Sequence, residues 1–145
     1  MRVVLQRVTN ASLKIDGKLY SEIGVGYLLL VGFTDGDDLA KVNKLAQKIV
    51  NLRVFSDENN KMNLNIAAVG GAILSVSQFT LYADPFSGNR PSFGKAMASG
   101  QASKLYDQFN EALKRHGVVV KTGVFGAMMD ISFTNSGPVT IIYDL

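Results

Sequence analysis

Cysteine is absent from the 145 residues of this chain, and histidine occurs once, at position 116. Without cysteine the chain has no disulfide, no thiol nucleophile and no thiolate ligand for a metal ion. A serine or cysteine triad also needs a histidine beside the nucleophile. His116 precedes Gly117 at the predicted end of a helix, where a cation complements the helix dipole. The sequence therefore argues against a triad hydrolase.

Long apolar runs and a large net charge are absent as well. The longest apolar run, Val25 to Phe33, is broken by glycines and is much shorter than the roughly 18 residues of a membrane span. The first eight residues, MRVVLQRV, alternate as in a β-strand and lack the layout of a signal peptide. The formal net charge of +3 permits a nucleic-acid partner without requiring one. We expect a cytoplasmic protein without membrane association.

An acidic cluster, Asp35, Asp37 and Asp38, raises the question of a metal site. A calcium-binding loop that began at Asp35 would need glycine at its sixth position and glutamate at its twelfth. The chain has Ala40 and Ala46 there. We interpret the cluster as the start of a helix that Asp37 or Asp38 caps, and we expect no metal and no cofactor.

Two amphipathic helices are predicted among a larger number of strands. The apolar faces of the helices are Leu39, Val42, Leu45, Ala46 and Ile49, then Ala102, Leu105, Tyr106, Phe109, Ala112 and Leu113. The predicted strands are 2–8, 11–15, 19–23, 27–33, 53–55, 72–82, 118–121, 131–134 and 139–143. Since tight turns join most strands, the pattern predicts one α+β domain over residues 1–145, with a mostly antiparallel, barrel-like sheet.

Polar residues occupy the end of the long predicted strand 72–82, at Ser77, Gln78, Phe79 and Thr80. One interpretation is an ordinary strand end with an exposed polar face. The other is a pocket without a titrating base, in which unpaired backbone N–H groups stabilise an oxyanion. A loop at 83–100, unusually long for a small domain, follows this segment and favours a functional role.

Gly137-Pro138 precedes the last predicted strand. Proline cannot donate a hydrogen bond to a sheet, and its ring fixes φ. The pair is either a simple turn or a backbone feature that contacts a ligand, and the local pattern leaves both interpretations open.

Two motifs, SQFTL at 77–81 and NSGPVT at 135–140, resemble the signature motifs of D-aminoacyl-tRNA deacylases. Intervening segments agree along the whole chain, among them KMN at 61–63, NRPSF at 89–93 and TGVFGAMM at 122–129. The resemblance implies a homodimer that hydrolyses D-aminoacyl-tRNA and mischarged glycyl-tRNA without a metal or cofactor. It also implies a cis Gly137-Pro138 peptide that enters the partner subunit's active site and excludes L-amino acids with its main chain.

The resemblance and the residue chemistry together place a catalytic centre at residues 77–80. The backbone N–H groups of Phe79 and Thr80 are the expected oxyanion donors, and the ribose 2′-OH of the tRNA is expected to assist the attacking water. The Thr80 hydroxyl is the second candidate, as a nucleophile, because no neighbouring residue can take its proton. Gln78 is expected to orient the substrate amine or a water.

Three further residues are expected to contribute to substrate binding. The resemblance implies that Arg7 supports the Gly137-Pro138 segment. Phe125 and Met129 either line the site of the terminal adenosine or belong to the core. The alternative function is a non-catalytic module that binds the tRNA acceptor end, and a third is a general esterase, against which the missing acid and base residues argue.

Overall fold

The computed structural model describes residues 1–145 and contains one six-stranded sheet, one two-stranded sheet and two α-helices. The main sheet comprises β1 (Arg2–Ile15), β2 (Lys18–Ile23), β3 (Gly26–Gly32), β6 (Ala72–Ser77), β7 (Val119–Thr122) and β8 (Asp130–Asp144). The small sheet pairs β4 (Phe55–Ser56) with β5 (Met62–Leu64), and the helices are α1 (Leu39–Val50) and α2 (Ser99–Arg115).

The long strand β1 organises the main sheet by pairing antiparallel with three strands. Its first half pairs with β3 and its second half with β2, while β8 follows its other edge. The sheet curls until β2 meets β7, where the Ser21 hydroxyl donates to the Thr122 carbonyl at 2.7 Å. The predicted barrel-like α+β class with two helices is confirmed.

The sheet is mixed, which modifies the expectation of mostly antiparallel pairing. β3 pairs parallel with β6, and β6 pairs parallel with β7. In each case a helix lies between the two strands in the chain, α1 before β6 and α2 before β7. Because parallel neighbours need a crossover connection, the two helices are the physical reason for the parallel pairs.

The predicted strand 72–82 is too long at its C-terminal end. β6 ends at Ser77, and Phe79–Tyr82 forms a 3-10 turn. Gln78 turns the chain here: its N–H donates to the Val31 carbonyl at 2.7 Å, and its own carbonyl lies over Gly32. A Cβ at Gly32 would stand 2.9 Å from that carbonyl oxygen, so the turn depends on this glycine.

The predicted strands 131–134 and 139–143 are parts of one strand, β8. Asn135 pairs with Val8, and Thr140 pairs with Gln6, so four residues of β8 face Arg7 alone. This extra length forms a bulge that contains Gly137-Pro138 and accommodates proline within a strand.

The two helices follow their predicted patterns and cover one face of the sheet. The side chain of Asp38 caps α1 by accepting from the Lys41 N–H at 2.9 Å. The predicted faces belong to a core cluster of 24 buried residues, except that Leu105 is only partly buried against it and Leu39, in the first turn of α1, is 46% exposed. At the other end, His116 caps α2 and Gly117 follows with φ +80°. No helix is long and apolar enough to cross a membrane.

Asp37 forms a buried ion pair with the α-amino group of Met1. Burial of the carboxylate opposes its ionisation, but the α-amino group, the Thr34 N–H and Lys41 all donate to it. These donors keep the pKa of Asp37 below its ordinary value. The acidic cluster is therefore a structural element at the start of α1.

Candidate active site

A pocket of about 560 Å³ opens where β3 and β6 end. Its walls come from the ends of these strands, the start of α2 and the segment 125–129. Five of the residues predicted for the site line it: Ser77, Gln78, Phe79, Phe125 and Met129. Eleven of its 16 lining residues are hydrophobic, as is usual for pockets that bind a small organic group with a few polar contacts.

The 3-10 turn at Phe79–Tyr82 begins at this pocket, which Gln78 and Phe79 line. The first N–H groups of a helical turn, here those of Phe79 and Thr80, have no acceptor within the turn itself. Gln78 cannot supply its own N–H, because that group is bonded to Val31. The arrangement is chemically suited to hold a developing negative charge on an oxygen.

The Thr80 side chain is exposed and is absent from the pocket lining. Its hydroxyl oxygen accepts a hydrogen bond from the side-chain amide of Gln78. An amide cannot remove a proton at neutral pH, and the only histidine lies at the far end of α2. The hydroxyl therefore has no base to activate it as a nucleophile.

The opposite wall of the pocket is tied to the core through a buried carbonyl. The Ser75 carbonyl accepts from the Tyr106 hydroxyl at 2.7 Å and from the Gly123 N–H at 3.0 Å. Burial raises the pKa of Tyr106, so its hydroxyl stays protonated and able to donate. These bonds fix the start of the segment that carries Phe125 and Met129.

Phe125 and Met129 belong both to the pocket and to the packing around the core. Each side chain lines the pocket, and each packs against a core cluster. The Phe125 ring lies 6.1 Å from the Tyr106 ring, and Gly123 leaves room for the Met129 sulfur, which a Cβ would meet at 2.5 Å.

Arg7, Gly137 and Pro138 form a second group at the bulge of β8. The Gly137-Pro138 peptide is cis, and Gly137 has φ +130°. Arg7 donates through Nε to the Ser136 carbonyl at 2.9 Å and through Nη1 to the Val54 carbonyl. From the other side, the Asn135 side chain accepts from the Val139 N–H at 2.7 Å. The bulge is thus held at both ends, while Gly137 and Pro138 remain exposed.

This second group does not reach the pocket of its own chain. None of its members lines that pocket. Arg7 pairs with Tyr27 on β3, whereas the pocket begins at Val31. Four residues of extended strand span about 13 Å, which separates the two groups.

A second pocket, of about 420 Å³, lies on the other side of the 3-10 turn and includes Arg2, Asp35 and Lys95. The Arg2 guanidinium already has partners within the chain, because it forms an ion pair with Asp144 at 2.6 Å and donates to the Leu81 carbonyl. No group of three or more histidine, aspartate or glutamate side chains is arranged to hold a metal ion.

The sequence model of the family described as D-Tyr-tRNA(Tyr) deacylase matches residues 4–144. The chain belongs to this family. The resemblance inferred from the SQFTL and NSGPVT motifs is therefore confirmed.

Relatives named D-aminoacyl-tRNA deacylase match this chain over nearly its whole length. The protein from Limosilactobacillus reuteri (strain DSM 20016) is 56% identical over 144 residues, which cover 99% of each chain. The protein from Bacillus licheniformis is 54% identical and covers 99% of this chain and 98% of its own.

Two solved structures share the deacylase-family fold. The c-Myc DNA Unwinding Element Binding Protein superposes with a TM-score of 0.92 at 40% identity and covers 100% of this chain and 99% of its own. A probable eukaryotic D-amino acid tRNA deacylase has a TM-score of 0.87 over 99% of this chain and 98% of its own. At 19% identity, this second likeness shows the fold alone.

Several residues that shape the pocket were not predicted from the sequence. Gly32 permits the turn at Gln78, and Tyr106 holds the opposite wall. Met97 and Ala102 line the pocket near the start of α2. Their local signals, a glycine that ends an apolar strand and apolar residues on a helix face, are shared with ordinary core positions.

Proposed function

We propose that the chain hydrolyses the ester bond of D-aminoacyl-tRNA, and of mischarged glycyl-tRNA, to release the free amino acid and the tRNA. Family membership makes the chain an enzyme of the deacylase class and gives the type of bond. The observation that carries the proposal is the apolar pocket lined by Gln78 and Phe79, next to the first N–H groups of the 3-10 turn and without a side-chain base.

Such a site suits an aminoacyl ester better than a peptide bond. The ester is already activated, so water can attack its carbonyl carbon once the developing oxyanion accepts hydrogen bonds from Phe79 and Thr80. The water loses a proton with help from the neighbouring ribose 2′-OH of the substrate. Collapse of the tetrahedral intermediate breaks the bond to the 3′ oxygen, which takes up the proton and leaves as tRNA.

The lining residues supply orientation. Gln78 lies at the pocket with its side chain bonded to Thr80, where it can meet the substrate amine or a water. Phe125 and Met129 give the terminal adenosine an apolar wall that the core holds rigid. Rigid support matters because a shift of about 1 Å in a bound substrate can reduce a rate about a hundredfold.

The chiral selection belongs to a homodimer in this proposal. Gly137-Pro138 is exposed, held firmly at both ends and about 13 Å along the sheet from its own pocket, so it can serve a pocket only on a partner subunit. There its main chain would block the side chain of an L-amino acid while leaving room for the D-enantiomer. Selectivity then comes from excluding the wrong substrate.

The outer edge of β8 gives the dimer its surface. β8 pairs with β1 alone, so its other edge has free backbone groups, and Phe133 and Ile142 are exposed on it. Proteins normally cover such an edge. A two-fold contact would cover it with the same surface of a second copy.

The test is the half-life of the ester in D-Tyr-tRNA, measured with and without the pure protein. The proposal expects a much shorter half-life with catalytic amounts of protein. A protein that binds the tRNA and leaves the half-life unchanged is a non-catalytic acceptor-end module. One that hydrolyses small esters equally well without tRNA is a general esterase.

A further inference from the structure

A hairpin follows the 3-10 turn in the chain and takes no part in the chemistry described above. Residues 84–92 are closed by two backbone hydrogen bonds, from the Asp84 N–H to the Ser92 carbonyl at 2.7 Å and from the Ser92 N–H to the Asp84 carbonyl at 3.0 Å. The Asp84 carboxylate accepts from the Phe86 N–H at 2.9 Å and the Ser87 hydroxyl at 3.2 Å. These donors lower the pKa of Asp84, and both carboxylate oxygens accept hydrogen bonds within the hairpin.

The tip of this hairpin presents one aromatic ring and one free cation. Phe86 is 95% exposed, the highest value among the large exposed hydrophobic side chains of the chain. Arg90 is exposed, and it belongs to none of the four ion pairs of the chain. No fold requirement explains the ring, because it buries almost no surface in the chain.

The base of the hairpin is attached to the mouth of the pocket. The Phe93 ring packs edge-on against the Phe79 ring, with centroids 4.9 Å apart. Beyond it, the Lys95 carbonyl accepts from the Thr34 hydroxyl at 2.6 Å, and the Met97 N–H donates to the Phe33 carbonyl at 3.0 Å. A substrate that continues out of the pocket past Phe79 therefore meets the hairpin.

We propose that the hairpin binds the single-stranded nucleotides that precede the terminal adenosine of the tRNA. This inference rests on the proposed function, which places that adenosine in the pocket. A base stacks on Phe86, and Arg90 contacts a phosphate. Exposed aromatic rings combined with cations are the usual means by which proteins hold single strands without reading their sequence. The structure thus assigns a second subsite for the substrate, outside the pocket.

Two pairs of variants test the subsite. Phe86→Ala removes the ring and Phe86→Tyr keeps a ring. Arg90→Ala removes the charge and Arg90→Lys keeps it. Val25→Ala is the control, because Val25 is 47% exposed and precedes β3, six residues or about 20 Å from the pocket end of that strand. The measurements are the Kd for uncharged tRNA by fluorescence anisotropy, and kcat and KM for D-Tyr-tRNA and for D-tyrosyl-adenosine.

The expected result is selective for the longer ligand. Phe86→Ala should weaken tRNA binding about tenfold and raise KM for D-Tyr-tRNA, with kcat unchanged. Turnover of D-tyrosyl-adenosine, which ends before the hairpin, should stay at the wild-type value. Arg90→Ala should reduce the slope of log Kd against log salt concentration by about 0.7 to 1. Phe86→Tyr, Arg90→Lys and Val25→Ala should behave as wild type.

Three outcomes would overturn the subsite: unchanged tRNA affinity in Phe86→Ala, an equal loss with D-Tyr-tRNA and D-tyrosyl-adenosine, or conversion of Phe86→Ala to a monomer in sedimentation. The last would make the ring a contact with a second copy of the chain. Should the wild-type protein hydrolyse neither substrate, the proposed function fails, while the anisotropy measurements still decide whether the hairpin binds tRNA.

Discussion

Replacing Gly137 with alanine should lower both the stability of the protein and its discrimination against L-aminoacyl-tRNA. Gly137 has φ +130°, a conformation that L-residues rarely adopt and that costs them about 1–3 kcal/mol. The added Cβ would stand 2.7 Å from the Arg7 Nη2 and 2.9 Å from the Val139 Cγ2. Val139 is buried and β-branched, so it cannot move aside easily.

The cost of the backbone conformation and the cost of the two close contacts can be separated with a second glycine. Gly88 has φ +136° and nothing within 4 Å of an added Cβ, so Gly88→Ala measures only the cost of placing alanine in this backbone conformation. We expect Gly137→Ala to lower Tm by about 3–10 °C and Gly88→Ala to lower it by less. In an Arg7→Ala background the penalty of Gly137→Ala should shrink, because one of the two clashes is gone.

Thermal unfolding gives the stabilities, and deacylation of D- and L-Tyr-tRNA gives the discrimination. A shift of the Gly-Pro main chain should change the D-to-L rate ratio while the pocket, about 13 Å away in the same chain, stays intact. The reasoning is refuted if Gly137→Ala keeps both the wild-type Tm and the wild-type D-to-L ratio.

Three further predictions concern the pocket and the core. Thr80→Ala keeps the N–H and should keep most of the single-turnover rate, whereas Thr80→Pro removes that donor and should reduce the rate about a hundredfold or more; equal losses in folded variants would make the hydroxyl the nucleophile. Asp37→Asn should reduce the free energy of unfolding by about 3 kcal/mol at pH 7, because the Met1 α-amino group loses its buried carboxylate partner. Folding lowers the pKa of Asp37, so its contribution to the free energy of unfolding is complete above about pH 4 and is lost as pH falls through the pKa of the folded state. Urea unfolding should therefore show a smaller difference in stability between the wild type and Asp37→Asn at pH 3 than at pH 7. Tyr106→Phe removes one donor to the Ser75 carbonyl, so the free energy of unfolding in urea should fall by about 1 kcal/mol. The same variant should raise KM more than it lowers kcat. Unchanged stability and KM would count against the positioning role of Tyr106.

Local sequence patterns were enough to predict both helices, the start of α1 and the end of α2, whereas α2 begins at Ser99, inside the predicted loop 83–100. The cap of α1, the buried faces of both helices and the end of α2 at His116 and Gly117 all depend on residues within a few positions of one another. Strand ends were harder. β6 stops at Ser77 because the Gln78 carbonyl crosses Gly32, a residue distant in sequence, and no pattern within 72–82 records that contact.

The residues proposed for the site could be named from the two motifs and from other agreeing segments such as 122–129, but their arrangement could not. One pocket contains residues 77–79, Phe125 and Met129, because β6 and β7 run parallel and the segments that follow them leave the sheet at the same side. Arg7, Gly137 and Pro138 lie elsewhere because the register of β1 with β3 and β8 places them farther along the sheet. Register depends on pairing across the whole sheet, so motif spacing does not determine it.

The most direct test of the account is a paired measurement of ester hydrolysis with D-Tyr-tRNA and L-Tyr-tRNA under identical conditions. The pocket, the backbone donors and the exposed Gly137-Pro138 segment together predict rapid hydrolysis of the D-ester, while the L-ester decays at its rate without protein. Hydrolysis of both esters at the same rate, or of neither, would contradict the account.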